Sequence, residues 1–197
     1  MKTLPRLLIL FACCSALSLS ATAQEKNETS GKEVYSGTIV NMSGRAVSTG
    51  FTLTITGRTT NEEAQKYLSI LASEGQDALL KSLSKNKLGY IAATGQTGRN
   101  LLVVRDAQVQ GKRRIIAVFE RWIRMGEARS GYRSLDYPFA IIEIFFDEKG
   151  RGSGTFIGAA QVKIVQDKKT EQYRLEIENF GSFPSKIMGV YQHGKKK

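Results

Sequence analysis

The side chains best equipped for chemistry crowd into one stretch of this chain. Arg121, Trp122, Arg124, Glu127, Arg129, Tyr132, Arg133, Asp136 and Tyr137 follow one another with few apolar residues between them. Guanidinium forks match carboxylates and phosphates, and flat aromatic faces accept sugars and cations. Two acids cannot match four arginines, so Arg121, Trp122, Arg124, Arg129, Tyr132, Arg133 and Tyr137 are the candidate contacts for a small anionic or sugar-acid ligand. The competing reading has the arginines pair with the acids and order the segment over a sheet. The connection that holds most of them, Arg124 to Pro138, spans about fifteen residues where hairpin loops take two to five, and long loops are often functional.

Most other chemistry is excluded by elimination. The only histidine is His193, in the basic tail 193–197, and the only cysteines are Cys13 and Cys14. One tail histidine forms neither a catalytic triad nor a metal site, so no metal and no cofactor are expected. Gly150-Arg151-Gly152-Ser153-Gly154 is glycine-rich, but a strand and not a helix follows it, which makes it a hairpin and not a phosphate loop. Carboxylate acid–base chemistry remains open. Glu143 is the candidate buried carboxylate, because the strand around it is apolar on both faces; pairing with an arginine is its favoured explanation. Glu120 raises the same question more weakly.

The N-terminus decides the compartment. Lys2 and Arg6 precede an apolar run from Leu7 to Leu19, too short to span a bilayer about 30 Å thick, and Ala21 and Ala23 have the spacing a signal peptidase reads. Residues 1–23 are therefore expected to be a signal peptide, cleaved before Gln24, with no transmembrane segment left afterwards. Phe11 argues against a lipobox at Cys13. Both cysteines would leave with the signal, so the core must hold the domain without disulfides. The whole chain carries 29 basic and 18 acidic residues. Losing Lys2 and Arg6 leaves 27 − 18 = +9. For an exported basic protein the fitting partners are a small anion, an acidic glycan or an envelope surface; nucleic acid does not fit the periplasm or the exterior.

The elements that must position these residues are mostly strands. Residues 24–32 are polar and read as a disordered leader. Phe51, Leu53 and Ile55 alternate with threonines, and 33–42, 101–105, 113–123, 139–146, 155–165, 172–178 and 187–191 are rich in β-branched and aromatic residues. Gln110-Gly111, Glu148-Lys149-Gly150 and 167–170 read as hairpin connections, which makes neighbouring strands antiparallel. One helical insertion, about 60–84, starts at a capping box, Thr60 with Glu63, and carries Leu68, Leu71 and Leu79 on its apolar stripe, with Gly75 as a possible break. The expected fold is mainly β, one domain over 33–192: an antiparallel barrel or two-layer sandwich of about eight strands, the helix covering an open end or a sheet edge.

Glu120-Arg121-Trp122, Glu127-Ala128-Arg129 and Arg133 through Phe139, together with Gly75 to Leu80 and Leu88 to Ile91, resemble segments of a group of uncharacterised exported bacterial proteins of about this length. The resemblance implies a periplasmic or secreted setting and brings no activity with it. The Gly-x-Trp of the lipocalin first strand is missing, so any likeness to that family would be architectural. The function expected is a non-catalytic exported domain that binds a small anionic ligand or a partner. A carboxylate-based hydrolase or lyase is the first alternative and an envelope-associated structural protein the second.

Overall fold

The computed structural model describes residues 31–41, 47–123, 133–166, 173–180 and 184–194. The expected signal peptide, most of the expected leader, the connection at 167–170 and the end of the tail lie outside them. Alternation of side chains between the two faces of a strand sorts the described residues into nine strands: β1 (Glu33–Asn41), β2 (Val47–Ile55), β3 (Gly89–Ala93), β4 (Arg99–Val109), β5 (Lys112–Glu120), β6 (Phe139–Phe146), β7 (Gly152–Gln166), β8 (Tyr173–Asn179) and β9 (Ser185–Gln192). All pairings are antiparallel. Strands β1 to β7 follow one another around a ring, β9 sits between β7 and β1, and the pairing of β6 with β7 closes an eight-stranded barrel; β8 is an extra strand on β7. The protein is thus a barrel and not a sandwich. β3, which is not among the strands expected from the sequence, has only five residues and contributes just Ile91 and Ala93 to the core.

Side chains fill the barrel. Tyr35, Phe51, Leu53, Ile55, Ile91, Leu101, Ile115, Phe119, Ile142, Ile144 and Ile187 belong to one buried cluster inside it. Bulges keep the alternation in phase with closure. A register shift between Leu101 and Val103 lets Leu101 and Val104 both join the interior cluster, while Leu102 joins the outer one. A second bulge lies in β9 at Gly189, whose φ of 63° is a left-handed conformation that suits glycine. It turns Val190 inward between Gly37 and Gly152, where a Cβ on either glycine would stand 2.8 Å from the Val190 side chain.

The expected helix is two helices, α1 (Asn61–Glu74) and α2 (Gln76–Leu83), broken at Gly75 with φ 84°. The Thr60–Glu63 capping box is formed. The helices do not cover a barrel end, but they do reach a sheet edge, where Gln76 meets β7 beyond the end of β6. They pack on the barrel's outer wall, where Leu71, Leu79 and Leu83 meet Leu102, Phe139, Ile141, Ala160 and Val162 in a second cluster. Leu68 is 43% exposed and takes no part in it; Tyr67 and Ile70 pack there with Leu71, so the apolar stripe of α1 lies to one side of the predicted position. Gln76 ties α2 to the sheet, accepting from the Val162 N–H at 2.9 Å and donating to the Asp136 carbonyl at 2.9 Å. Thr59 does the same for β4 beyond the end of short β3: its N–H reaches the Val104 carbonyl, and its hydroxyl accepts from the Val104 N–H.

Candidate functional site

The sequence points first to 121–137, and the structure splits that group. Arg121 is buried, 4% exposed, and its N–H bonds the Pro138 carbonyl. Trp122 closes one end of the barrel: its ring lies 5.0 Å from Phe119, edge-on, and 6.4 Å from Phe156, and its indole N–H donates to the Thr97 carbonyl. Tyr137 is 4% exposed, lies with its ring tilted against Phe180 at 5.1 Å and donates to a Glu178 carboxylate oxygen at 2.5 Å. Trp122 and Tyr137 are committed to packing and internal hydrogen bonds and Arg121 is buried, so none of the three lies on an open ligand surface. Arg133 opens a single 3-10 turn, Arg133–Asp136. Its side chain, with Arg124, Arg129 and Tyr132, lies outside the described residues. Glu143 is not buried: its side chain is 32% exposed on the outer wall, where an Arg114 nitrogen stands 3.6 Å away. The apolar face of β6 to which Glu143 belongs is covered by the helices only at Phe139 and Ile141.

The other end of the barrel holds a polar group that lies outside the site expected from the sequence. Glu33 on β1, Arg58 just after β2, Asp106 on β4 and Arg113 on β5 form a closed ring of alternating charge. Arg58 lies 3.0 Å from Glu33 and 3.4 Å from Asp106; Arg113 lies 3.1 Å from Glu33 and 2.5 Å from Asp106. The Tyr35 hydroxyl donates to Glu33 at 2.5 Å and accepts from Arg113 at 3.0 Å, and the Arg113 guanidinium lies 5.7 Å from the Phe146 ring centre. Burial pushes the Glu33 carboxyl up, but the Tyr35 hydrogen bond and the two guanidinia outweigh it and leave the group below the usual carboxylate range. Burial and the bond to Glu33 raise the Tyr35 hydroxyl. A signal for this ring existed: Glu33, Asp106 and Arg113 continue the inward register of Tyr35, Val104 and Ile115 at one end of three strands. Charged residues at inward positions mark where a barrel core stops.

Outside that ring lies a cleft of about 1190 Å³, walled by the β4–β5 turn, the β6–β7 turn and the end of β9. Its lining includes Lys112, Arg113, Lys149 and Arg151 against Asp147 and Glu148, with Tyr191 at the side. The β4–β5 turn has positive φ at both Gln110 and Gly111, the primed geometry that a two-residue hairpin needs. Asp147 holds the β6–β7 turn, accepting from the Arg151 N–H at 2.7 Å and its guanidinium at 3.0 Å. The backbone bond comes first among the effects that keep the Asp147 carboxyl below its ordinary range. Arg113 and Arg151 are therefore engaged by carboxylates. Lys112 and Lys149 make no ion pair among the described residues.

No family model matches the chain, and no curated protein or solved structure matches it. Among the described residues no three His, Cys, Asp or Glu side chains are grouped to hold a metal ion, and no helix is long and apolar enough to cross a membrane. His193 is not a loose tail residue: its N–H bonds the Val34 carbonyl at 2.8 Å, and its Nε2 lies 2.8 Å from the Ser36 hydroxyl.

Proposed function

We propose that this protein is an exported, non-catalytic β-barrel domain that binds a small anionic ligand at the barrel end lined by Lys112 and Lys149. The observation that carries this reading is the cleft itself, which offers two lysines with no ion pair among the described residues, backed by two arginines held in place by carboxylates. The barrel interior supports it from the other side. Packed side chains fill the interior from Trp122 to Tyr35, so a ligand meets the rim and not a lumen.

The carboxylate-enzyme alternative rests on Glu33 and Asp106, which do converge on the same two guanidinia. Paired acid–base catalysis needs one carboxyl whose proton is retained near neutral pH, in a site where its partner faces substrate. Here Glu33 is pushed the opposite way, and its Oε2 is already bound by Tyr35, Arg58 and Arg113. The ring is better suited to closing a barrel than to moving protons.

Isothermal titration with inorganic phosphate and with galacturonate, a sugar acid, tests the reading. Lys112→Gln with Lys149→Gln should weaken binding at least about tenfold, the loss of about 1.4 kcal/mol. Arg129→Ala with Arg133→Ala is the contrasting pair. Loss of binding only in the arginine pair would move the site to the 121–137 segment, and no binding of either probe would refute the anion reading.

A further inference from the structure

No strand among the described residues pairs the outer edge of β8, whereas the open stretches of β4 and β7 meet Thr59 and Gln76. β8 hydrogen-bonds only β7, and the ring of the other eight is closed. Such an edge is a template for another strand unless it is blunted. The bond from the Phe180 N–H to the Ala159 carbonyl sets the phase of the β7–β8 ladder. Even-numbered residues of β8 turn their amides toward β7, and Tyr173, Leu175 and Ile177 turn theirs outward. The same three side chains share the face of Val162 and Ile164, which packs toward the helices. Yet they are 73%, 48% and 44% exposed. The opposite face carries Arg174, Glu176 and Glu178. An apolar row beside open backbone donors and acceptors is not what a solvated edge needs.

We propose that this edge pairs with the β8 edge of a second copy of the chain, antiparallel about a two-fold axis through Leu175. Charge complementarity selects both the partner and the register. With Leu175 opposite Leu175 of the second copy, Tyr173 meets Ile177 and Arg174 meets Glu176, each twice. Outward amides then face outward amides, and the Arg174–Glu176 pairs fall at the narrow, non-hydrogen-bonded positions where cross-strand side chains come closest. Moving the axis by one residue to Glu176 would set that carboxylate against itself. Within one chain Glu176 already lies 3.6 Å from Lys163, whereas Arg174 is 67% exposed and only 4.0 Å from Glu176. A second copy would give Arg174 a closer carboxylate than this marginal in-chain contact. One strand pair buries less than the roughly 1,600 Å² of stable interfaces, so the dimer is concentration-dependent, not permanent.

Sedimentation of the purified protein over a wide concentration range is the test. A monomer–dimer equilibrium is expected, weakened at least about tenfold by Leu175→Lys. Arg174→Glu and Glu176→Arg should each be monomeric alone and dimerise when mixed, since the mixed pair restores both opposite-charge contacts. On a Cys13→Ser, Cys14→Ser background, Leu175→Cys should cross-link to itself under oxidation while Tyr173→Cys and Ile177→Cys do not, because only the residue on the axis meets its own copy. This arm holds even if a charge variant folds poorly. A monomer at every concentration, or a dimer indifferent to Leu175→Lys, would overturn the proposal.

Discussion

Replacing Arg113 by methionine isolates what the ring at the barrel end contributes. The substitution keeps a long apolar stem over Phe146 and removes five contacts: three to Asp106, one to Glu33 and one to Tyr35. Breaking a buried ion pair from one side costs about 3–5 kcal/mol, because the other charge is left without its partner, and an exposed pair costs about 0–1 kcal/mol. The Arg113, Glu33 and Asp106 side chains are 26%, 20% and 27% exposed, nearer the buried case. Arg58 stays within 3.0 Å of Glu33 and 3.4 Å of Asp106 and takes up part of the load. The expected loss is about 2 kcal/mol at pH 7. It should appear in urea unfolding as a lower midpoint at unchanged slope. The pH dependence gives a second reading. Glu33 is held below its unfolded value, so its contribution is present above that value, about pH 4.3, and is lost as pH falls through the folded one. The gap between wild type and variant should therefore narrow in acid. A gap under about 0.5 kcal/mol at pH 7, or one that stays constant into acid, would show that the ring does not close the barrel. If anion binding were lost without any change in stability, Arg113 would belong to the ligand.

Other perturbations test the remaining links. Leu71→Ala should cost about 2–5 kcal/mol, since Leu71 is the buried residue through which α1 meets the barrel wall; calorimetry of both proteins would show it. Gly189→Val should cost at least about 1–2 kcal/mol, because a φ of 63° places a branched side chain in the left-handed region; an unchanged melting temperature would mean that the β9 bulge can relax. Gln76→Ala should cost about 1–3 kcal/mol by stranding the Val162 N–H and the Asp136 carbonyl, and amide exchange at Val162 should speed up with it. Intact mass of protein from its native host should begin at Gln24.

Much of the barrel is legible in the chain because strand alternation is a local property. The runs at 50–58, 113–123, 139–146 and 155–165 need no partner to be read, and Gln110-Gly111 dictates a tight hairpin by backbone preference alone. The Thr60–Glu63 capping box is equally local, and it formed. What local pattern could not decide was closure. Barrel and sandwich share the same alternation and the same hairpins, and the difference is whether β9 pairs with both β7 and β1, which lie far from one another along the chain. Nor does local pattern say which wall the helices cover, so it cannot tell that Leu68 is exposed or that Glu143 pairs with Arg114 in partial contact with solvent. The candidate site shows the same division. Arginine and aromatic types concentrate at 121–137, but whether such a side chain meets a ligand or a core depends on distant strands. Arg121, Trp122 and Tyr137 end in packing for that reason. Glu33, Arg58, Asp106 and Arg113 are separated along the chain by up to 80 positions and meet only because four segments end at one rim. Composition and periodicity determine which residues prefer a strand, a turn or an apolar face; ring closure alone decides which charges face one another, because charge pairing depends on distance in space and not along the chain.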